Sequence, residues 1–516
     1  MLSVSSFLFF GIFIISLCLY YIVPKRVQWM LLLLYSIAFF AASCKPVTII
    51  WLLAGILVTW SASVLISYGK NSGNTKISGL ALFFGLAGNF GMLAALKYSS
   101  FLFENLNAVL RWGTGADASV SFLHPLTLES PIGISFYTMQ AAAYLLDTYW
   151  EISEPQKNPF KTALFISYYP QLTSGPITRY SQMKDQLYAG HSFDWKNVTF
   201  GLQRMFWGLF KKLVISVRAG VIVDTIYGAP DSYRGLYVWF AASVFMLQLY
   251  TDFSGCMDIV IGASECCGII LPENFRTPFF SRSVQEYWQR WHITLGEWLK
   301  DYILYPLLRT SLFRNLTKIL KKRFGKSASR QIPSYLAMLC VWLLIGMWHG
   351  GAWKYILGMG LWFWCCIVLG QSLEPLFKKL IDVLKINTDT FGWHFFQSLR
   401  VFILVAVGNM FFRLQNIPAV FTELKNAFIV RNPWILFDDS LYSLGLSAKS
   451  FHVLAASVLV LVVVSHLSEK ESVRVMIARQ NLVFRWIIWI TLICSIVVFG
   501  VYGPGYNAST FIYQQF

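Results

Sequence analysis

Residues 47–68, VTIIWLLAGILVTWSASVLISY, contain no Asp, Glu, Lys, Arg or His. At 1.5 Å per residue such a run is roughly 33 Å long as a helix, enough to cross a hydrocarbon core about 30 Å thick. In lipid the backbone must satisfy its own hydrogen bonds, so the run is helical. Residues 3–23, 28–43 and 78–97 repeat the pattern around it, and further spans are predicted at about 352–370, 395–413, 449–467 and 482–502. The chain of 516 residues is 56% hydrophobic, 17% aromatic and only 13% charged, whereas about a quarter of the residues of a soluble domain are charged. The expected fold is therefore all-α: a polytopic transmembrane helical bundle of about 10–12 spans plus re-entrant or interfacial helices, with a central tunnel.

The net charge of +17 points to basic cytoplasmic loops rather than to nucleic acid. Lys25 and Arg26 follow the first span and Lys70 and Lys76 the third, while Lys45 alone lies between the second and third. This asymmetry places residue 1 outside and the 69–77 loop inside. The run from Phe7 to Val23 is read as a retained span, because no small-residue cleavage site follows it. Residues 99–124 are mixed and are expected along the outer interface. Arg309 to Arg330 includes Arg314, Lys318, Lys321, Lys322, Arg323 and Lys326 with no acidic residue, and is read as a cytoplasmic basic loop. Lys470, Arg474, Arg479 and Arg485 place residues 468–485 on the same side, so both termini come out extracytoplasmic.

Polar residues interrupt the middle of the chain. Pro131-Ile-Gly-Ile-Ser-Phe136 opens a span bearing Gln140 and Asp147, and Ser174-Gly-Pro-Ile-Thr-Arg-Tyr180 follows soon after. Proline and glycine at membrane depth need neighbouring helices or a cavity to satisfy the freed backbone. Within 235–270, Thr251, Gly255, Asp258, Gly262 and Glu265 share one helical face. That face serves either as a polar packing seam or as part of a site. The nine cysteines form no Cys-x-x-Cys and no cluster with histidine, and no metal site is expected. Gly325-Lys326-Ser327 mimics the end of a phosphate-binding loop, but Leu320 stands where its first glycine belongs.

Two histidines stand apart. Residues 282–302 are too polar to span; Trp288, Trp291, Leu295, Trp298 and Tyr302 make an apolar stripe beside a polar one of Gln285, Gln289, His292 and Gly296. This predicts one interfacial or re-entrant helix that turns His292 inward. His349 ends the run 332–348, among Gly346, Gly350 and Gly351, which leave room for a substrate or let a helix approach closely. The other five histidines lie in loops or near span ends. A histidine at membrane depth is a functional-site hypothesis in its own right, and an unperturbed pKa of about 6.5 suits a general base. It could take the proton from a hydroxyl attacking an acyl thioester.

The motifs resemble a known family, the membrane-bound O-acyltransferases, in the branch that acetylates alginate and peptidoglycan. Arg290-Trp-His-Ile-Thr-Leu295 with Trp298-Leu-Lys-Asp-Tyr302 is similar to the branch's first histidine motif, and Met347-Trp-His-Gly350 to its second. Asp252-Phe-Ser-Gly255 with Asp258, Pro272-Glu-Asn-Phe275, Ser174-Gly-Pro-Ile177 and Gly133-Ile-Ser-Phe136 resemble further motifs, so that the likeness covers roughly 130–355. It implies His349 as catalytic base, His292 orienting the donor or polarising its carbonyl, and Trp291, Trp348, Asp252, Ser254, Asp258, Asn274 and Arg290 as substrate- or donor-binding candidates. Phe511-Ile-Tyr-Gln-Gln-Phe516 resembles a terminal pattern of such systems, which implies Tyr513 as an acyl relay, with an aromatic anchor at the membrane interface as the alternative; Gln514 stands where a second aromatic often follows.

The resemblance implies no bound cofactor, acetyl-CoA as donor substrate, and a polysaccharide acceptor such as alginate or peptidoglycan. The implied setting is a bacterial inner membrane, with membrane lipids around the chain and an extracytoplasmic partner of the Ser-Gly-Asn-His hydrolase type. The expected organisation is N-terminal helices over 1–129, a catalytic core over 130–370, C-terminal helices over 371–502 and a tail over 503–516. Two alternatives stand beside it: D-alanyl or lipid transfer by the same superfamily, and a transporter whose polar pathway uses Asp258, Glu265 and His349.

Overall fold

The computed structural model describes residues 4–502. All its regular elements are helical, apart from one isolated antiparallel bridge between Phe275 and Trp291. Nine helices among the described residues are long and apolar enough to cross a membrane, and the shorter Leu8–Ile22 is apolar as well. The first four expected spans correspond to Phe7–Ile22, Lys25–Ser43, Ile49–Asn71 and Thr75–Leu93. The protein is a polytopic helical membrane protein.

Three local expectations are corrected. The fourth span continues through a π-helical turn, Ala94–Tyr98, into Ser99–Thr114, so most of the segment read as interfacial prolongs a helix. The basic segment is helical too: it forms the first half of Ser311–His349, interrupted only at Gly325, whose φ of 83° breaks the helical backbone. Lys and Arg are good helix formers, so positive charge marks a side of the membrane without demanding a loop. Residues 282–302 do not form one helix. They break into Val284–Arg290 and Ile293–Leu299 at Trp291 and His292.

The chain divides into two compact units. The first holds residues up to Leu209 and Cys256–Pro272; the second holds Phe210–Gly255 and Glu273–Val501. In the first unit Ile49–Asn71 and Thr75–Leu93 pack face to face, and a Cβ on Gly85 would lie 2.7 Å from that of Ala62. Ala62, Ile66, Ala81 and Leu145 form the buried cluster beside them. The amide of Asn89 donates to Thr59 Oγ1 and to the Gly85 carbonyl, which satisfies it internally.

Ile134–Tyr149 is buried over most of its surface. It starts at Gly133, whose φ is 77° and where a Cβ would stand 2.0 Å from the Leu172 carbonyl oxygen. Only glycine fits that combination. The polar groups of this region bond to one another: Gln140 and Gln171 both donate to Thr178 Oγ1. The Asp258–Gly262 face is a packing seam. Arg204 Nε donates to Asp258 at 2.9 Å, and a Cβ on Gly262 would meet the Gly201 carbonyl at 2.5 Å.

The second unit contains the helices Val217–Gly228, Ser311–His349, Leu361–Ser372, Phe391–Arg413, Ala448–Ser468 and Leu482–Phe499, and residues 236–255 of Leu236–Cys266. Trp288 packs edge-on against Trp342 and Phe363, with ring centroids 5.0 and 4.8 Å away. An apolar cavity of about 550 Å³ lies between residues 240–250, the turn at Thr277–Phe280, and the Phe451–Ser465 face of Ala448–Ser468. All nine cysteines are free thiols.

Candidate active site

Eight of the expected site residues lie in the second unit: Asp252, Ser254, Asn274, Arg290, Trp291, His292, Trp348 and His349. Asp258 belongs to the first unit and is held by Arg204, while Tyr513 lies outside the described residues.

His292 is set by an unusual backbone. Its φ and ψ are 49° and 51°, the left-handed region, which costs a non-glycine residue on the order of 1–3 kcal/mol. Two backbone bonds hold it there. Ile293 N–H donates to the Asn274 carbonyl at 3.0 Å, and Arg276 N–H donates to the Arg290 carbonyl at 2.9 Å. Together they clip 274–276 against 290–293 and form the bridge between Phe275 and Trp291. Strain that the surroundings over-determine in this way is typical of functional positions. The stripe of Trp288, Trp291, Leu295 and Trp298 is split by the break. Trp291 enters its own aromatic cluster, 5.0 Å from Phe275 and stacked on Tyr287 at 5.6 Å.

The imidazole of His292 is buried, edge-on to Phe253 at 4.9 Å and to Trp348 at 5.6 Å. Its Nδ1 faces Asn274 Oδ1 at 3.2 Å. Burial holds its pKa down to about 3, so the ring is neutral at physiological pH.

His349 is the last residue of Ser311–His349 and is 5% exposed. Its ring lies 5.0 Å from Trp348 and edge-on to Phe412 at 5.4 Å. Gly346 and Gly350 serve close packing. A Cβ on Gly346 would meet the Tyr355 carbonyl oxygen at 2.4 Å, and one on Gly350 would meet the Tyr355 ring at 2.7 Å. The two histidines, far apart in sequence, thus share one indole, that of Trp348.

The remaining candidates in this unit are held by ion pairs and hydrogen bonds. Arg290 is paired with Glu286 at 2.7 Å and Glu469 at 2.8 Å. Asp252 forms a buried ion pair with Lys212, and Ser254 accepts a hydrogen bond from Lys211 at 2.8 Å. Lys211 and Lys212 went unread in the sequence, although adjacent lysines inside the apolar run 206–217 are conspicuous at membrane depth. They lie on the π-helical segment Phe210–Ser216, a kind of helix found frequently at functional sites. Phe253 and Thr294 lie inside the quoted motifs without a role of their own there, and nothing distinguishes Phe412 from an ordinary core residue before folding. No group of His, Cys, Asp and Glu among the described residues could hold a metal ion.

A helical membrane protein with two buried histidines on one tryptophan has the means to handle a proton in a dry site. The family model of the membrane-bound O-acyltransferases matches residues 154–321, which include His292 and stop short of His349. The probable alginate O-acetylase AlgI of Pseudomonas putida is 30% identical over 420 residues, 80% of this chain and 77% of that protein. The peptidoglycan O-acetyltransferase of Helicobacter pylori is 29% identical over 67% of this chain and 64% of its own length. The teichoic acid D-alanyltransferase of Bacillus subtilis is 27% identical over 45% of this chain and 57% of its own. The chain belongs to the membrane-bound O-acyltransferase family and is an O-acyltransferase.

Proposed function

We propose that this protein moves an acetyl group from cytosolic acetyl-CoA toward an extracytoplasmic polysaccharide of the alginate or peptidoglycan kind. The observation that carries the reading is the pair His292 and His349, both buried and both against Trp348. His349, buried against Trp348, acts as the general base on the attacking hydroxyl. His292 holds the second reactant. Acetyl is favoured over D-alanyl because the relatives named for acetylation match over a larger share of both chains.

The basic residues of 311–330 and 470–485 support a cytoplasmic position for those segments and extracytoplasmic termini in a bacterial inner membrane. An extracytoplasmic acyltransferase of the Ser-Gly-Asn-His hydrolase type is the proposed partner. Tyr513 is the proposed acyl relay, since a phenol with pKa about 10 ionises more readily than a sugar hydroxyl.

The test is acetyl content of the envelope polysaccharide in a strain carrying the chain as its sole source of this activity. General acid–base catalysis contributes about 10²–10⁴-fold. His349→Ala at wild-type abundance is therefore expected to lower acetylation by at least about 10²-fold, and Tyr513→Phe to abolish it if the relay operates. Full acetylation by His349→Ala removes the assigned base. D-alanyl rather than acetyl esters on the polymer would replace the donor class.

A further inference from the structure

We propose that Asn274 and Thr294 lock His292 in the tautomer that carries its hydrogen on Nδ1, so that the ring meets a reactant as a hydrogen-bond acceptor at Nε2. The inference rests on the reading of His292 as part of the acyl-transfer site.

The argument runs through the Asn274 side chain. A carboxamide presents oxygen at one corner and NH₂ at the other, and which corner is which follows from the partners. The backbone N–H of Thr294 points at Asn274 Oδ1 at 3.1 Å, and a backbone N–H can only donate. That corner is therefore the oxygen. Thr294 Oγ1 donates to the same oxygen at 3.0 Å. His292 Nδ1 faces it at 3.2 Å. A carbonyl oxygen has no hydrogen to give, so Nδ1 must supply one. A neutral imidazole carries a single N–H, and Nε2 is left with the lone pair.

The surroundings leave no easy route out of this arrangement. Asn274, His292 and Thr294 are 1%, 2% and 3% exposed, so bulk water does not replace any of the three bonds. The ring is packed edge-on against Phe253 and Trp348, and its backbone is held in the left-handed region by the bond from Ile293 N–H to the Asn274 carbonyl. Asn274 thus fixes the main chain of the histidine with one oxygen and its proton with the other. Burial keeps the ring neutral, which removes the doubly protonated form that would donate from both nitrogens.

The consequence narrows the chemistry. A carbonyl is polarised by a donor, and His292 in this tautomer offers none at Nε2. It accepts instead, from the acceptor's hydroxyl or from a thiol. Asn274 is a positioning residue here, not a donor-binding one.

The experiment is magic-angle-spinning NMR on the full-length protein in lipid bilayers, with ¹⁵N-labelled histidine and the His292 signals assigned by loss in His292→Gln. The expected result is one set of ring signals with Nδ1 protonated and Nε2 bare. Asn274→Ala is expected to give a mixture of tautomers, while Asn274→Asp, which keeps an accepting oxygen, retains the single one. In transfer assays Asn274→Ala should lower kcat more than it raises KM, with rescue by Asn274→Asp. A protonated Nε2 in the wild type overturns the proposal, and so does a single unchanged tautomer in Asn274→Ala. If the tautomer is as stated but His292→Gln transfers acetyl at the wild-type rate, the proposal stands and the reading of His292 as a site residue fails.

Discussion

Asp252 lies in a motif resembling one of the acyltransferase family, yet the structure gives it an ion-pair partner, Lys212, with the two side chains 4% and 3% exposed. A perturbation of that pair separates a structural from a chemical role. Replacing Asp252 alone by Leu leaves a buried ammonium group without this carboxylate, and replacing Lys212 alone by Met leaves a buried carboxylate without this ammonium. Because both side chains are almost fully enclosed, solvent screening offers little relief. Breaking a buried pair from one side costs about 3–5 kcal/mol, whereas replacing both partners by apolar residues is neutral or stabilising by about 1–4 kcal/mol. The double variant Asp252→Leu with Lys212→Met is thus expected to recover most of the stability that either single change loses, a coupling of several kcal/mol.

The assay is the fraction of monodisperse protein left after heating in detergent, read for the wild type, both singles and the double. Acyl transfer is measured on the same four preparations. A double variant no more stable than the worse single would refute the account of a self-compensating buried pair. A double variant with wild-type stability and no transfer would return Asp252 to the chemistry, as a residue that contacts the donor.

Acidity gives a second readout. His292 has a folded pKa of about 3, against about 6.5 unfolded, so the unfolded chain binds a proton that the folded chain excludes. This contribution to stability is fully present above pH 6.5 and is lost as pH falls toward 3; the shift in thermal midpoint between pH 7.5 and 5 should shrink in His292→Gln, and an unchanged shift would contradict the burial assigned to the ring. Orientation is checked at Lys321, on the exposed basic half of Ser311–His349. A cysteine there, in a chain cleared of its own cysteines, should react with an impermeant thiol reagent only after the membrane is permeabilised, and labelling in intact cells would invert the assigned topology.

Hydropathy was enough to define the fold class and the apolar spans of this protein. A helix in lipid must satisfy its own backbone, so an apolar run of about 20 residues has few alternatives. The two histidines were legible too, because imidazole is out of place among such residues. Sequence periodicity failed where a single backbone position overrode it. The stripe from Trp288 to Tyr302 predicts a continuous helix, but the left-handed His292 breaks it and sends Trp291 into a separate aromatic cluster. That conformation is held by hydrogen bonds from Ile293 to Asn274 and from Arg276 to Arg290, contacts between segments that no local pattern joins. The shared indole of Trp348, the pairing of Lys212 with Asp252, and the packing of Gly346 on Tyr355 were likewise decided by tertiary structure. Each depends on which helices become neighbours, and helix neighbours in a membrane are chosen by side-chain fit rather than by hydrophobicity, since lipid tails are as apolar as the helices they surround.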